Sequence, residues 1–545
     1  MRGLIMNQPL LISSLICHAD WVSGDREIVT RSVEGPMHRY NYHDAHTRSR
    51  QLANALINLG VKLGDRIATL AWNTYRHFEC YYAISGIGAI THTLNPRLAA
   101  DQLTYIINHA ENSYIFVDAD LLPLIELVVN LIPTIKGIVV MTDNLNMPES
   151  KIDNLLCYED LIENNSDDLE WPVFDENTAS SLCYTSGTTG NPKGALFSHR
   201  STIIHAYASA LPDVLQLSEK EVVLPVVPMF HVNAWGIPYG ATMTGAKLVF
   251  PGPKLDGESI HQLLVNESVT FAAGVPTVWL GLLNYWKENN TNVPTLKRTI
   301  CGGTAVPQSM IESFQEEFGI ELRHAWGMTE MSPLGTVSVI KPSHMNSDKA
   351  TRYRIQIKQG RPVFGVEMKI VDDQENELPH DGKAYGELMV RGPWITSGYY
   401  KVENSEAHDH NGWFATGDVC TIDPEGYIEI TDRTKDVIKS GGEWISSIDL
   451  ENQAMGHSDV MHAAVIGVHH PKWDERPLLI VVPAKDKTPV LEDINEYLSK
   501  KVAKWWLPDD MIIVESLPIG ATGKVLKTKL RELFGNHTLP TAGQS

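Results

Sequence analysis

The sequence contains no Cys-x-x-Cys pair: its six cysteines, Cys17, Cys80, Cys157, Cys183, Cys301 and Cys420, are scattered through 545 residues. That spacing removes zinc-ribbon and thiol–disulfide exchange readings and suits a reducing compartment. No apolar run approaches the ~18–20 residues needed to span a bilayer. Positive charge is also short. Forty-five Lys and Arg against 66 Asp and Glu leave −21, which weighs against nucleic acid or an anionic membrane as the main partner but leaves room for a local basic pocket. A Walker A spacing and a kinase motif set are both missing, and with them the usual ADP-releasing enzymes. Internal repeats and low-complexity tracts are absent too. At 43% hydrophobic and 20% charged residues, the chain is nonetheless of ordinary globular composition, long enough for about three domain-sized units. Arg2 followed by LLISSLI (10–16) has the look of a secretion signal, but His18, Asp20 and Trp21 stand where small residues should precede cleavage. A first helix of a cytoplasmic protein is expected instead.

What is present alternates between two periodicities. Helical spacing runs from about Tyr42 to Leu59, with Leu52, Ala55, Leu56 and Leu59 on one face before Gly60 and Gly64. RIATLAW (66–72) reads as a buried strand, HFECYYAISGIGAI (77–90) as a helix ending in glycine, and YIFVD (114–118) and GIVVMTD (137–143) as further strands. Strand–helix alternation of this kind predicts α/β layers with a parallel sheet. After about residue 360 the character changes. GVEMKIVD (365–372), YGELMVRG (385–392) and VCTIDPEGYIEITDR (419–433) read as a β-ribbon or barrel subdomain turning at DPEG. Beyond Arg433 the pattern is mixed again, with AAVIGV (463–468), PLLIVVPAK (477–485) and a helix near 491–504. The expected organisation is a large domain over 1–432 and a small α+β domain over 433–545.

The most informative segment is YTSGTTGNPKGALFSH (184–199). Thr185, Ser186, Thr188 and Thr189 supply hydroxyls, Gly187, Gly190 and Gly194 let backbone amides approach an anion, and Lys193 adds a positive charge. An apolar run before it and a helix expected after it suggest a strand–loop–helix phosphate site. A bland surface loop would rarely concentrate these residues in so few positions.

This segment resembles the signature loop of the adenylate-forming superfamily, which comprises acyl-CoA synthetases, non-ribosomal adenylation domains and luciferases. Further motifs follow in the family's order over most of the chain. CGGTAVP (301–307) resembles the adenine-side segment, with Gly302 and Gly303 against the base and Thr304 beside it. HAWGMTEMSP (324–333) resembles the next motif. The resemblance implies that Trp326 stacks near the adenine, flanked by Gly327 and Met328, that Thr329 contacts the α-phosphate, and that Glu330, with Thr185, helps hold Mg²⁺. One carboxylate plus ATP oxygens is a normal magnesium set. In GWFATGD (412–418), Asp418 resembles the acceptor for the ribose hydroxyls and Arg433 the second ribose contact.

The resemblance implies two half-reactions: a carboxylate joins AMP with release of pyrophosphate, then CoA displaces AMP. Positive charge is needed where charge develops, and Lys524 in PIGATGKVLK (518–527) matches the family's catalytic lysine. Ile519 and Gly520 depart from the family there, standing where a basic residue and a threonine are usual. In DRTKDVIKSGGEWIS (432–446), Lys435 resembles the hinge residue, and Lys439, Gly441, Gly442 and Trp444 the thioester loop that faces the pantetheine arm. WDERP (473–477) offers Glu475 or Arg476 as a further CoA or nucleotide contact. In PMFHVNAWG (228–236), His231 resembles the residue that orients the carboxylate and then the thiol. Trp235 lies four positions on, and in a helical stretch it would share His231's face and shorten the acyl pocket.

The texture of QPLLISSLI and HVNAWG is similar to that of medium-chain fatty acyl-CoA ligases and of 3-(methylthio)propionate–CoA ligases, with the second favoured. The implied small molecules are ATP, Mg²⁺, CoA and a short or medium-chain carboxylic acid, and similar enzymes imply a homodimer. A non-catalytic sensor on the same fold is disfavoured because Lys524, Glu330 and Thr189 are all kept.

Overall fold

The protein is described here from a computed structural model, which covers every residue except 2, 186–190, 373, 404–406, 442, 521–524, 544 and 545, and the side chains of 443 and 444. Among the described residues the chain builds four sheets. Helix Tyr42–Asn58 is started by a capping box in which the Asn41 side chain accepts from the Asp44 N–H and the Asp44 carboxylate accepts from Asn41. It delivers the chain to strand Arg66–Leu70, centre of a seven-stranded sheet whose strands Leu156–Cys157, Gly137–Val140, Tyr114–Val117, Arg66–Leu70, Ile90–Thr93 and Ala179–Tyr184 run parallel. Ile90–Thr93 was not legible as a strand. The helix expected over 77–90 is Tyr75–Gly86, and the residues after its glycines pair with both Arg66–Leu70 and Ala179–Tyr184.

A second, nine-stranded sheet has a parallel centre made of Glu27–Arg31, Lys247–Phe250, Val222–Pro225, Phe271–Gly274, Arg298–Cys301 and Glu321–Gly327. These strands are buried on both faces, as the strands of a parallel centre covered by helices are. The expected ribbon is a four-stranded antiparallel sheet, Glu367–Val371, Tyr385–Arg391, Phe414–Ile422 and Ile428–Arg433. The last region forms a five-stranded sheet around the long hairpin Val460–His470 and Asp474–Pro483, with Asp510–Ile513 parallel to the latter. Its helix Leu491–Leu498 is shorter than expected. No helix among the described residues is long and apolar enough to cross a membrane.

One expectation is overturned by the topology. The phosphate-type loop is not followed directly by a helix. Gly194–Ser198 is a strand antiparallel to Ala179–Tyr184, and the helix His199–Ala210 begins only after it. The segment between these two strands therefore joins the arms of a hairpin, and the helix follows one strand later than expected. The residues from Ala195 to Ser198 alternate in burial as a strand does, a period that the hydroxyl-rich run beside it obscures.

Candidate active site

Of the loop residues, Ser186, Gly187, Thr188, Thr189 and Gly190 lie outside the described residues, as do Lys524 and Gly442 and the side chain of Trp444. The hairpin that carries the loop is described. The Thr185 N–H donates to the Lys193 carbonyl at 2.9 Å, closing its base, and the Tyr400 N–H donates to Gly194 O at 2.8 Å. The Lys193 ammonium stands 5.0 Å from the centre of the Tyr399 ring, and the Tyr399 hydroxyl donates to Glu330 Oε1 at 2.7 Å. Burial, then the neighbouring Glu330 carboxylate, raises the Tyr399 phenol far above its ordinary range, so it stays a donor. The motifs around Lys193 and Glu330 are thus joined through Tyr399, which sequence reasoning missed. Its only signal was the aromatic pair in SGYY at 397–400.

Glu330 is 7% exposed, and it has no ion-pair partner among the described residues. It sits on a short turn, Thr329–Met331, directly after strand Glu321–Gly327. That strand must end in glycine: a Cβ on Gly327 would lie 1.9 Å from Pro333 O. A carboxylate held in a sheltered place without a cationic side chain suits a hard cation brought in on phosphate oxygens. Among the described residues no group of three or more His, Cys, Asp or Glu is arranged so that it could hold a metal ion by itself.

Asp418 and Arg433 are 15 positions apart yet are direct cross-strand partners in the hairpin turning at DPEG. Arg433 Nε lies 3.1 Å from Asp418 Oδ1, and the Trp326 indole N–H donates to Oδ2 at 2.9 Å. Both carboxylate oxygens of the buried Asp418 are therefore fixed. Trp326 is itself 9% exposed and packed in the core, so its observed contact is to Asp418. In the CGGTAVP segment, Gly302 and Gly303 follow strand Arg298–Cys301. A Cβ on Gly302 would meet Ala325 O at 2.8 Å, and Gly303 has φ +87°. Thr304 is exposed and Met328 partly buried.

The acyl-side segment differs from the helix considered above. Val232, Asn233, Ala234 and Trp235 have φ of 46°, 52°, 49° and 58°, and Gly236 follows at 73°. This is a left-handed turn, and each L-residue in it costs roughly 1–2 kcal/mol, so it needs outside support. His231 precedes it and borders a cavity of about 20 Å³ that Thr93, Tyr184, Thr185, Pro192 and Phe230 also line. Trp235, half-buried, presents its ring edge to Gly302, whose Cβ position is 3.3 Å from Trp235 Cη2. The shared-face argument fails because it assumed the right-handed screw, yet both side chains still border the nucleotide-type motifs. The support comes from residues that sequence reasoning missed. Asn73 accepts from the Met229 N–H at 2.6 Å and donates to Pro225 O and Val227 O, and the Tyr81 hydroxyl donates to Met229 O at 2.5 Å.

In the C-terminal region, Lys439 and Gly441 belong to a tight hairpin, Ile438–Ser440 with Glu443–Ile445. Gly441 has φ +63° and its N–H donates to Trp473 O at 2.8 Å. Glu475 Oε2 accepts from the Lys439 N–H at 2.9 Å, making it a brace of this hairpin. Arg476 is spent within the sheet, on Asp509 at 2.6 Å and on the carbonyls of Trp505 and Leu507, which withdraws it as a ligand contact. Lys435 is exposed between the sheets.

Comparison with known proteins accounts for this arrangement of motifs. The chain is 52% identical over 534 residues, 98% of its length and 99% of the relative's, to a 3-methylmercaptopropionyl-CoA ligase of Ruegeria lacuscaerulensis. It is 48% identical over 539 residues, 99% and 98% of the two lengths, to a medium-chain-fatty-acid–CoA ligase of Ectopseudomonas oleovorans. Among solved structures, an anthranilate CoA ligase in complex with anthranoyl-AMP superposes with a TM-score of 0.85 at 24% identity, covering 98% of this chain and 99% of that one, so the fold is shared. The profile described as AMP-binding enzyme matches residues 20–400 and that of its C-terminal domain residues 449–524; with the phosphate-type hairpin, Glu330 and the Asp418–Arg433 pair all inside or beside those spans, the chain belongs to the AMP-binding enzyme family.

Proposed function

We propose that this chain is an AMP-forming acid–thiol ligase that activates 3-(methylthio)propionate as its adenylate and transfers the acyl group to CoA, releasing AMP and pyrophosphate. The observation that carries the reading is two sets of contacts, Lys193–Tyr399–Glu330 beside the phosphate-type hairpin and Trp326–Asp418–Arg433 at the hairpin turning at DPEG. It offers hydroxyl and amide donors for phosphates, a sheltered carboxylate for a cation and a fixed carboxylate for vicinal hydroxyls. A carboxylate is a poor acyl donor because attack on it would expel oxide, and AMP is the better leaving group. Asp418 accepts from the ribose hydroxyls while Arg433 and Trp326 keep its oxygens aimed. Thr185, the residues 186–190, Lys193 and Thr329 bind the phosphates, and Gly302, Gly303, Thr304, Gly327 and Met328 border the base. Mg²⁺ fits Glu330 and Thr185, and when bound it neutralises phosphate charge. Lys524 stabilises charge at the α-phosphate, and His231 orients the acid and then the thiol.

The small domain, from residue 433 with its hinge at Lys435, turns between the two half-reactions. It then presents the hairpin of Lys439, Gly441, Gly442 and Trp444, braced by Glu475, to CoA. A cytoplasmic homodimer completes the reading. The choice of acid leans on the relative at 52% identity; a medium-chain fatty acid is the second reading, favoured by the relative at 48%. A hydrophobic pocket separates neighbouring chain lengths by only ~1–3 kcal/mol per methylene, so rates must be compared. The test is AMP release with ATP, Mg²⁺ and CoA, comparing 3-(methylthio)propionate, butyrate, hexanoate and octanoate by kcat/KM. Preference for the sulfur acid supports the first reading, and preference for octanoate replaces it with the second. ADP as product would overturn the ligase reading.

A further inference from the structure

We infer that Asn233 is a positioning residue that ties the acid-binding turn to the strand leading into the phosphate loop. The inference rests on the ligase reading above and adds a residue to it. Asn233 lies at the middle of the left-handed run from Val232 to Gly236 and is 4% exposed. Its amide Nδ2 donates to Ser181 Oγ at 2.9 Å. Its Oδ1 accepts from Tyr81 Oη at 3.3 Å and faces Cys183 Sγ at 3.6 Å. Ser181 and Cys183 are 1% and 3% exposed and belong to strand Ala179–Tyr184, which runs directly into Thr185.

A run of valine, asparagine, alanine and tryptophan in left-handed conformation does not sustain itself, and the β-branched Val232 suits it least. Strain of this kind persists only where the surroundings over-determine it. The buried amide of Asn233 supplies such a restraint, and its partners lie on the element that carries the phosphate-binding residues. The side chains the turn presents are His231, beside Thr185 in the shared cavity, and Trp235, against Gly302. Asn233 thereby fixes the distance between the acid's carboxylate and the α-phosphate it must attack. Misplacement of reacting groups by about 1 Å costs on the order of 100-fold. With no charge and almost no exposed surface, Asn233 acts through geometry alone.

The test uses the full chain with Asn233→Gly, which keeps the left-handed backbone cheap but removes the tether, and Ser181→Ala, which removes the acceptor from the other side. In Asn233→Gly the KM for the acid should rise roughly tenfold or more while the KM for ATP stays within about twofold, and discrimination between acids differing by two methylenes should shrink. Ser181→Ala should move the same quantities in the same direction by less, and the double variant should be no worse than Asn233→Gly, because both remove one bond. If kcat/KM for the acid and for ATP fall in parallel with thermal stability, or the two substitutions add independently, Asn233 is merely a satisfied core amide and the inference is overturned. Wild-type activity with an unmoved acid KM in Asn233→Gly overturns this inference alone, whereas a wild type that forms no acyl-adenylate from any acid overturns it together with the ligase reading.

Discussion

Replacing Lys527 with methionine tests how the small domain is held together. Lys527 begins the helix Lys527–Phe534, three positions after Lys524. Its ammonium lies 2.8 Å from Glu451 Oε1 and donates to Ser447 Oγ at 2.5 Å. Ser447 in turn donates from both its hydroxyl and its N–H to Asp432 Oδ2, at 2.5 and 2.7 Å. Burial opposes charge on Lys527, but the Glu451 and Asp432 carboxylates outweigh it and hold the ammonium protonated. Burial also raises both carboxyls against the pull of Lys527. Methionine has a similar reach and no charge, so Lys527→Met leaves two sheltered carboxylates without their cation. Breaking a buried pair from one side costs about 3–5 kcal/mol, and at 1.4 kcal/mol per factor of ten that is on the order of 10²–10³·⁵ in local opening. Hydrogen exchange of the intact chain at pH 8 should therefore show that loss of protection in Ser447–Ala454 and Lys527–Phe534. Lys527→Met with Glu451→Gln should recover much of it, and the single variant's defect should shrink as pH falls and Glu451 takes up a proton. Unchanged protection in the single variant, or a double variant that loses the sum of both defects, would refute the reasoning.

Three further outcomes can be measured. Lys524→Ala should lower acyl-adenylate formation by roughly 10²–10³ while CoA transfer from supplied adenylate survives, which single-turnover assays of the two halves will resolve; an equal loss in both halves removes the assigned role. Asp449, half-buried, is pushed up to about 7 by burial and by the charges of Glu429 and Asp432. As pH rises from about 4 to 7 the unfolded carboxyl ionises first, so stability falls across that window and levels above it. Asp449→Asn should flatten that slope in thermal unfolding and stabilise the protein at pH 8 by about 2 kcal/mol, roughly half the full effect because the group keeps some solvent. Trp235→Ala should improve kcat/KM for octanoate relative to butyrate, and an unchanged chain-length profile would remove Trp235 from the acid site.

How far the site was legible depended on how its parts are held. Asp418 and Arg433 were named through the family resemblance, and the structure adds that one hairpin, turning at DPEG, sets the two opposite each other. The strand-to-helix turn before Pro307 was legible because a strand end and a helix start lie within one short segment. For the loop, the residue types suggested an anion site, but the setting expected for it was wrong. Hydroxyls, glycines and a lysine mark an anion site, whereas whether a strand or a helix follows is decided by pairing between Gly194–Ser198 and Ala179–Tyr184. Ile90–Thr93 escaped notice in the same way, since four residues behind two glycines carry too little periodicity to separate a strand from a helix end.

The handedness of the turn from Val232 to Gly236 shows a different limit. Spacing counts positions along the chain and carries no sign, so a left-handed run and a right-handed one look alike until tertiary contacts choose. Those contacts are made by side chains far away in sequence. Asn233 reaches Ser181 across 52 positions, Tyr399 reaches Glu330 across 69, and Trp326 reaches Asp418 across 92. No local pattern encodes such pairs, because each partner alone is an ordinary buried polar group that needs some hydrogen bond. Motifs therefore announce the groups proposed to meet the substrates, while the groups that aim them emerge only from the fold. Substitutions at Asn233, Tyr399 or Trp326 should accordingly alter kinetics in ways that the motif residues alone would not lead one to expect.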